Sequence, residues 1–94
     1  MEIIFKIVYA HEVVTEDIPN LDKKAREIIK KSIEEKLCKH PELFGKPLRT
    51  SLAGYRKLRV GDYRVIFEIS KQNIIIWMIR HRKDIYQKVI KRLK

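Results

Sequence analysis

Residues 55–69 alternate apolar and polar side chains with a period of two, and the alternation breaks once, at Gly61-Asp62. Such a pattern is typical of two antiparallel strands joined by a two-residue turn. With these two residues as the loop, Arg59 faces Arg64 across the strands. The pattern predicts a β-hairpin with one apolar face and one cationic face. The apolar face comprises Leu58, Val60, Tyr63, Val65, Phe67 and Ile69, and the opposite face comprises Tyr55, Lys57, Arg59, Arg64, Ile66 and Glu68.

A strand and a long helix are predicted before the hairpin. Residues 1–9 are rich in apolar and β-branched side chains, which is typical of a strand. A long helix is predicted from Asn20, the expected N-cap, to His40-Pro41. The apolar face of this helix comprises Leu21, Ala25, Ile28, Ile29, Ile33 and Leu37. Residues 11–17 leave open whether a short helix forms, and residues 41–53, which contain several prolines and glycines, predict a loop.

A central strand and a short helix are predicted after the hairpin. Residues 74–79 form a nearly unbroken apolar run, which suits a strand covered on both sides. Trp77 within it is expected in the core, with a base-stacking role as the alternative. Asp84 and Gln87 resemble a capping box, and apolar residues at helical spacing follow them.

The order of these elements predicts one α+β domain over residues 1–94. Its small, antiparallel-rich sheet consists of the N-terminal strand plus a three-strand meander. The sheet is expected to pack on one long and one short N-terminal helix, and a short C-terminal helix ends the chain. A chain of 94 residues is long enough for one such core and too short for two domains.

Composition narrows the functional classes. The start of the chain lacks the features of a signal peptide, and the longest apolar run is too short to cross a bilayer, so we expect a cytoplasmic protein that is not inserted in a membrane. The single cysteine, Cys38, cannot form an internal disulfide. His11, His40 and His81 are far apart and the glycines match no phosphate-binding loop, so neither a metal nor a cofactor is expected.

The charge balance points to a polyanionic partner. The net charge is +10, from 22 Lys and Arg against 12 Asp and Glu. A surplus of this size favours nucleic acid, an acidic protein or an anionic membrane surface as the partner. Arginines directly opposite each other, as predicted for Arg59 and Arg64, cost about a few tenths to 1 kcal/mol. A phosphate would relieve that cost; the alternative is that the cationic face serves only solubility.

The run GKPLRTSLAGYRKLRVGDYRVIFEI, followed after an apolar strand by HRKDIY, resembles the RelE/ParE superfamily of toxins from type II toxin-antitoxin modules. The resemblance implies the compact RelE fold. For the RelE branch it also implies a ribosome-dependent endoribonuclease that cuts mRNA in the ribosomal A site. The implied partners are the ribosome, mRNA and a cognate antitoxin of acidic or amphipathic character, and the toxin alone is expected to be a monomer that enters a higher-order complex with the antitoxin. Two alternatives stay open: a ParE-like inhibitor of DNA gyrase without chemistry, and a basic nucleic-acid-binding module without turnover.

The resemblance also implies roles for individual residues. Arg64 matches the hairpin arginine associated with the scissile phosphate, and Lys57 matches a lysine of the preceding strand. Tyr86 matches a tyrosine that orients the substrate base, and His81 stands where several ribonuclease toxins carry a catalytic histidine. Tyr55 occupies the position of a second lysine in well-studied RelE enzymes. The expected RNA-binding residues are Arg59, Arg56, Arg49, Lys46, Arg80, Arg82 and Lys83.

Overall fold

The computed structural model describes residues 4–48 and 53–93, and within them five strands form one sheet. The strands are β1 (Lys6–Tyr9), β2 (Lys46–Pro47), β3 (Tyr55–Val60), β4 (Tyr63–Ser70) and β5 (Asn73–His81), and their order across the sheet is β1-β5-β4-β3-β2. Neighbouring strands are antiparallel except for β1, which runs parallel to β5. The sheet and its helices confirm the predicted α+β class and the predicted place of the first strand.

The helical segments are a π-helical turn (Val13–Asp17), α1 (Lys23–Ser32), which continues as a second π-helical turn (Ile33–Leu37), α2 (Pro41–Phe44) and α3 (Ile85–Leu93). A helical turn therefore forms within residues 11–17, where the sequence left the choice open. The N-cap of α1 is Asp22, whose carboxylate accepts a hydrogen bond from the Ala25 N–H at 2.7 Å. The predicted cap, Asn20, was wrong, because it lies in the turn before Asp22. In the part of the chain that the structure describes, no helix is long and apolar enough to span a membrane.

The hairpin has the predicted register. Val60 pairs with Tyr63 and Arg59 with Arg64, so Gly61 and Asp62 form the two-residue turn. Gly61 has a φ of 58°, which glycine adopts without the strain that a Cβ would bring. The apolar face of the hairpin packs on α1 and its π-helical extension. The buried residues of this main core include Leu58, Val60, Val65, Phe67, Ala25, Ile29, Ile33 and Leu37.

The opposite face of the sheet holds a second, smaller core under α3. Ile66 of β4 and Met78 of β5 are buried there against Ile85 and Val89 of α3. The face that the sequence describes as cationic is thus apolar at Ile66. This apolar contact determines where α3 packs on the sheet.

Residues 41–48 contain secondary structure, so the predicted loop over residues 41–53 was wrong. Pro41 is buried as the first residue of α2, and β2 pairs with β3 at the edge of the sheet. The chain passes so close to the core at Gly45 that a Cβ there would lie 2.2 Å from Phe67 Cζ. Proline and glycine indicate a turn from local conformation alone, whereas β2 forms through pairing with a distant strand.

Two apolar residues lie outside the places expected for them. Ile28, predicted on the apolar face of the long helix, is exposed. Trp77, predicted in the core, is half-buried, and its Nε1–H donates to Glu68 Oε1 at 3.0 Å. Its backbone is an insertion in β5, since Ile66 pairs with Met78 and Phe67 with Ile76. Trp77 is therefore the extra residue of a β-bulge.

A buried carboxylate joins the first π-helical turn, β5 and α3. Asp17 is 1% exposed, and its Oδ2 accepts hydrogen bonds from the Ile79 N–H at 2.8 Å and from Arg92 Nη1 at 2.6 Å. Arg92 Nη2 donates to Asp17 Oδ1 at 3.0 Å. Arg80 Nε lies 3.1 Å from the same oxygen, within ion-pair distance but without the alignment of a hydrogen bond. These contacts attach the last turn of α3 to the sheet.

The environment of Arg92 favours its charged form. Burial opposes the charge, but the hydrogen bond from Arg92 to Asp17 and the negative charges of Asp17, Glu16 and Glu12 outweigh it, so the pKa of Arg92 is raised above its ordinary value. Arg92 therefore keeps its positive charge over the whole pH range in which proteins are studied.

Asp17→Asn keeps the side-chain shape and leaves Arg92 and Arg80 beside a neutral amide. Because the loss of one partner leaves a buried charge uncompensated, we expect the free energy of unfolding in a urea titration to fall by about 3 to 5 kcal/mol. The matched control is Glu16→Gln, whose exposed carboxylate also pairs with Arg92; its loss is expected to stay below about 1 kcal/mol. Equal losses in the two variants would contradict the role given to Asp17.

Candidate functional site

A cleft of about 530 Å³ lies between the hairpin and the first turn of α3. It collects side chains from α2, β2, β3, β4, the segment after β5 and α3. Its lining residues are Phe44, Lys46, Lys57, Arg59, Arg64, Arg82, Lys83 and Tyr86. Six of these residues are cationic and two are aromatic, and no acidic residue is among them. Such a lining suits a ligand with several negative charges.

Like charges face each other across the strands that form the floor of the cleft. Arg59 pairs directly with Arg64, and Lys46 of β2 pairs directly with Lys57 of β3. Directly paired residues point to the same face of a sheet, so the four cations share one surface. Within residues 4–48 and 53–93, neither Arg59 nor Arg64 has a carboxylate partner. A bound anion would relieve the repulsion at these positions.

Arg64 is held by the hairpin turn. Its Nη1 donates to the carbonyl oxygens of Gly61 and Tyr63, both at 2.9 Å. These two bonds engage one nitrogen of the guanidinium and restrict the side chain before any ligand arrives. A planar guanidinium fixed in this way is suited to bidentate contact with phosphate oxygens.

Lys57 and Tyr86 form a direct contact between the sheet and α3. Lys57 Nζ donates to Tyr86 Oη at 2.6 Å. The same nitrogen lies 5.3 Å from the centre of the tyrosine ring. These two distances place the ammonium beyond the hydroxyl rather than above the ring face, so the contact is a hydrogen bond and not a cation–π interaction. The position of α3 therefore decides where Lys57 points.

The segment after β5 is fixed to the hairpin turn. The Arg82 N–H donates to the Asp62 carbonyl oxygen at 2.7 Å, and Arg82 Nε lies 3.6 Å from Asp62 Oδ1. Both side chains are exposed, so this ion pair adds little stability. The backbone bond is what brings Arg82 and Lys83 to the cleft beside Arg64.

The structure does not bring His81 into the cleft. His81 pairs with Tyr63 on the face of the sheet that packs against α1, opposite to the face of Lys57 and Arg64. Its ring contacts Tyr63 edge to face at 5.6 Å, and its Nδ1 accepts a hydrogen bond from the Lys83 N–H at 3.2 Å. The cause is the bulge at Trp77, because one extra residue in β5 exchanges the faces of all side chains that follow.

Three further residues predicted at the site, Arg80, Arg56 and Arg49, lie elsewhere or are not described. Arg80 lies on the cleft face, but its side chain turns to Asp17 and Glu16 at 3.1 Å and 4.0 Å. Arg56 Nη1 donates to the Gly45 carbonyl oxygen at 3.1 Å, which gives it a structural task at β2. Tyr55, in the position of a second lysine, contacts Trp77 edge to face at 6.4 Å. Arg49 falls outside the described residues.

Phe44 is a cleft residue that the sequence did not indicate. It belongs to the segment predicted as a loop, and because α2 was not predicted, the sequence did not indicate where its ring would point. The weak signal available was an aromatic residue directly before Gly45, where the backbone approaches the core. In the described ranges, no group of three or more His, Cys, Asp and Glu side chains could hold a metal ion.

The fold and the cleft together define a class, the small toxins of the RelE/ParE type. The family described as "ParE toxin of type II toxin-antitoxin system, parDE" matches residues 9–86. The chain therefore belongs to this family, and its predicted membership of the RelE/ParE superfamily of type II toxins is confirmed. Toxin RelG of Mycobacterium tuberculosis is 39% identical over 54 residues, which cover 55% of this chain and 62% of RelG. The match thus spans less than two thirds of the length of that relative.

Solved structures confirm the predicted RelE-like fold. The toxin-antitoxin complex RelBE2 from Mycobacterium tuberculosis matches with a TM-score of 0.80 and 25% identity, over 87% of this chain and 95% of that one. The RelB-RelE complex from Methanococcus jannaschii matches with a TM-score of 0.65 and 28% identity, over 86% of this chain and 96% of that one. A mutant of the E. coli toxin RelE in the free state matches with a TM-score of 0.72, over 98% of this chain and 100% of that one. Because the two sequences are only 18% identical, this match shows the fold alone.

Arg59→Gln removes one member of a like-charge pair. We expect this change to raise the free energy of unfolding by about 0.2 to 1 kcal/mol at low salt, because the cross-strand repulsion is lost. The gain should shrink at about 1 M salt, where the screening length is roughly 3 Å. Urea titrations at the two salt concentrations measure both values.

The same titrations with added inorganic phosphate test the anion site. Phosphate should stabilise the wild-type protein more than R59Q, because it binds the folded cleft. Lys23→Gln, which removes an exposed cation at the start of α1, is the matched control and should respond to phosphate like the wild type. A phosphate response that is the same in wild type and R59Q would count against an anion site at this pair.

Proposed function

We propose that this toxin is an endoribonuclease that cleaves mRNA in the ribosomal A site and so stops translation. The observation that carries this proposal is the cleft, where six cations and two aromatic side chains converge without an acid. The cations can contact successive phosphates of an RNA strand, and the aromatic rings offer stacking surfaces for unpaired bases. Both features are needed for a single-stranded RNA substrate.

The proposed reaction is attack of a ribose 2′-hydroxyl on the adjacent phosphorus. A bond forms between O2′ and phosphorus while the bond from phosphorus to O5′ breaks, which leaves a 2′,3′-cyclic phosphate and a 5′-hydroxyl. Negative charge grows on the phosphate oxygens during this step. Arg64 and Arg59, which are paired on the cleft floor, supply the donors that stabilise it.

Lys57 is the proton-transfer group of this proposal. It lines the cleft next to Tyr86, and the 2.6 Å hydrogen bond between their side chains holds its amine in place. The Lys57 ammonium gives a proton to O5′ as the bond from phosphorus to O5′ breaks, and the amine so formed takes up the proton that the 2′-hydroxyl releases. Tyr86 positions this amine.

Arg64→Ala tests the assignment of charge stabilisation. In a translation reaction with intact ribosomes, we expect the rate of mRNA cleavage to fall by a factor of about 10² to 10³, as for the loss of one donor to a developing oxyanion. Primer extension on the mRNA maps and quantifies the cuts. Unchanged cleavage by this variant would contradict the proposal for Arg64.

Lys57→Met and His81→Asn together locate the proton transfer. Loss of a general acid–base group lowers the reaction rate by a factor of about 10² to 10⁴, and we expect a fall of this size in the rate of mRNA cleavage by K57M in the same assay. His81→Asn keeps an acceptor for the Lys83 N–H and should cleave like the wild type, because the ring lies on the opposite face of the sheet. If H81N is inactive while K57M cleaves, the role passes to His81, as the resemblance implied.

A second candidate is inhibition of DNA gyrase by binding alone. The family that matches this chain is described by its ParE members, which favours this reading. Two assays with the same toxin preparation separate the endoribonuclease from the gyrase inhibitor. One measures supercoiling by purified gyrase, and the other measures mRNA cleavage in the presence of ribosomes. Inhibited supercoiling without mRNA cleavage would select the gyrase inhibitor.

We further infer that a cognate antitoxin is the protein partner. Two of the similar solved structures are toxin-antitoxin complexes. The net charge of +10 favours an antitoxin that is acidic or amphipathic. A monomeric free toxin, a higher-order complex with the antitoxin, and action in the cytoplasm, where ribosomes are, all stay predictions.

A further inference from the structure

Phe44 exposes an aromatic ring in the cleft and has no part in the core. It is the last residue of α2, it is 41% exposed, and it belongs to neither of the two groups of packed apolar residues. Every other cleft residue except Tyr86 is a cation. An exposed ring beside so many phosphate-binding groups is a surface on which an unpaired base can stack.

The backbone around Phe44 is fixed from both sides. Pro41 anchors the start of α2 in the protein interior, and Gly45 packs directly on the ring of Phe67. Arg56 holds the Gly45 carbonyl oxygen at 3.1 Å, and Lys46 then enters the sheet opposite Lys57. These contacts keep Phe44 at one place beside the proposed proton-transfer group.

One face of the Phe44 ring already has a partner. Lys36 Nζ, from the π-helical extension of α1, lies 5.7 Å from the ring centre, within the range of a cation–π contact. This contact restricts the tilt of the ring, which still lines the cleft and is open to a ligand there. Tyr86 differs, because its hydroxyl is engaged by Lys57 and its position serves that contact.

We propose that Phe44 is the stacking platform for an unpaired RNA base next to the phosphate bound at Arg64, and that Lys46 contacts the neighbouring phosphate. This inference rests on the proposed function, since it names a subsite for the same RNA. The two aromatic residues of the cleft then have separate tasks: Tyr86 positions Lys57, and Phe44 binds a base. Stacking accepts every base, so the platform contributes affinity and placement rather than strict sequence preference.

The test uses a short single-stranded RNA that carries 2-aminopurine and is blocked by 2′-O-methyl groups, so that it binds without being cut. Stacking on an aromatic ring quenches 2-aminopurine fluorescence, and titration at low ionic strength gives the dissociation constant. Phe44→Leu retains an apolar side chain and removes the π face. We expect F44L to bind about 5- to 150-fold more weakly, the range for loss of one base–aromatic stack, and to lose the quenching. Phe44→Trp should keep both the wild-type affinity and the quenching, because tryptophan also offers a π face.

Leu43→Ala is the matched control. Leu43 is the 75% exposed neighbour in the same short helix and does not line the cleft, so L43A should bind and quench like the wild type. Wild-type binding and quenching by F44L, or no quenching by the wild-type protein, would overturn the platform. If F44L loses quenching while Arg64→Ala still cleaves mRNA at the wild-type rate, the platform stands and the proposed catalytic function fails.

Discussion

The ion pair between Asp17 and Arg92 is the interaction on which the arrangement of the cleft depends. A carboxylate this deeply buried is stable only with partners, and here the partners come from β5 and α3. The apolar contact of Ile66 and Met78 with α3 decides which face the helix covers, and the ion pair attaches its far end. Tyr86, in the first turn of that helix, is thereby placed against Lys57. The packing of α3 on the sheet therefore both stabilises the fold at Asp17 and sets the positions of Lys57 and Tyr86 in the cleft.

Charges on the cleft face of the molecule are divided between two regions. At the edge near β5, Glu12, Glu16 and Asp17 neutralise Arg80 and Arg92. Across the hairpin, by contrast, like charges are paired directly, and Asp62 is the acid that touches a cleft cation there, among the residues the structure describes. A protein selected for stability alone would gain by mixing these charges. Their segregation supports the proposal that the cleft binds a polyanion.

Much of this could be predicted from the sequence where local rules decide. The hairpin register follows from a period of two and a Gly61-Asp62 turn, and it alone places Lys57, Arg59 and Arg64 on one surface. The role of Asp17 could not be predicted, because its partners lie more than sixty residues away in the chain. The sequence did not predict β2 for the same reason, because its pairing with β3 is non-local and its proline and glycine neighbours indicate a loop.

His81 shows how one irregularity changes a functional assignment. Strict alternation along β5 from the buried Ile74 and Ile76 would place His81 on the cleft face, where the resemblance to ribonuclease toxins also puts it. The bulge at Trp77 reverses the alternation, so Met78 faces α3 and His81 faces Tyr63. No signal in the apolar run marks the extra residue, because every position in it is hydrophobic. Within such runs the face of a side chain is settled by pairing with the neighbouring strand.

The central claim is that the cleft between the hairpin and α3 holds the scissile phosphate of mRNA on the ribosome. The most direct measurement is a structure of the toxin on a ribosome whose A-site codon carries a 2′-O-methyl group and so stays uncut. The account predicts that phosphate oxygens of this codon lie within hydrogen-bond distance of Arg64 and Arg59, with Lys57 at the modified ribose. A toxin that binds the ribosome through another surface, with the A-site codon away from these side chains, would contradict it.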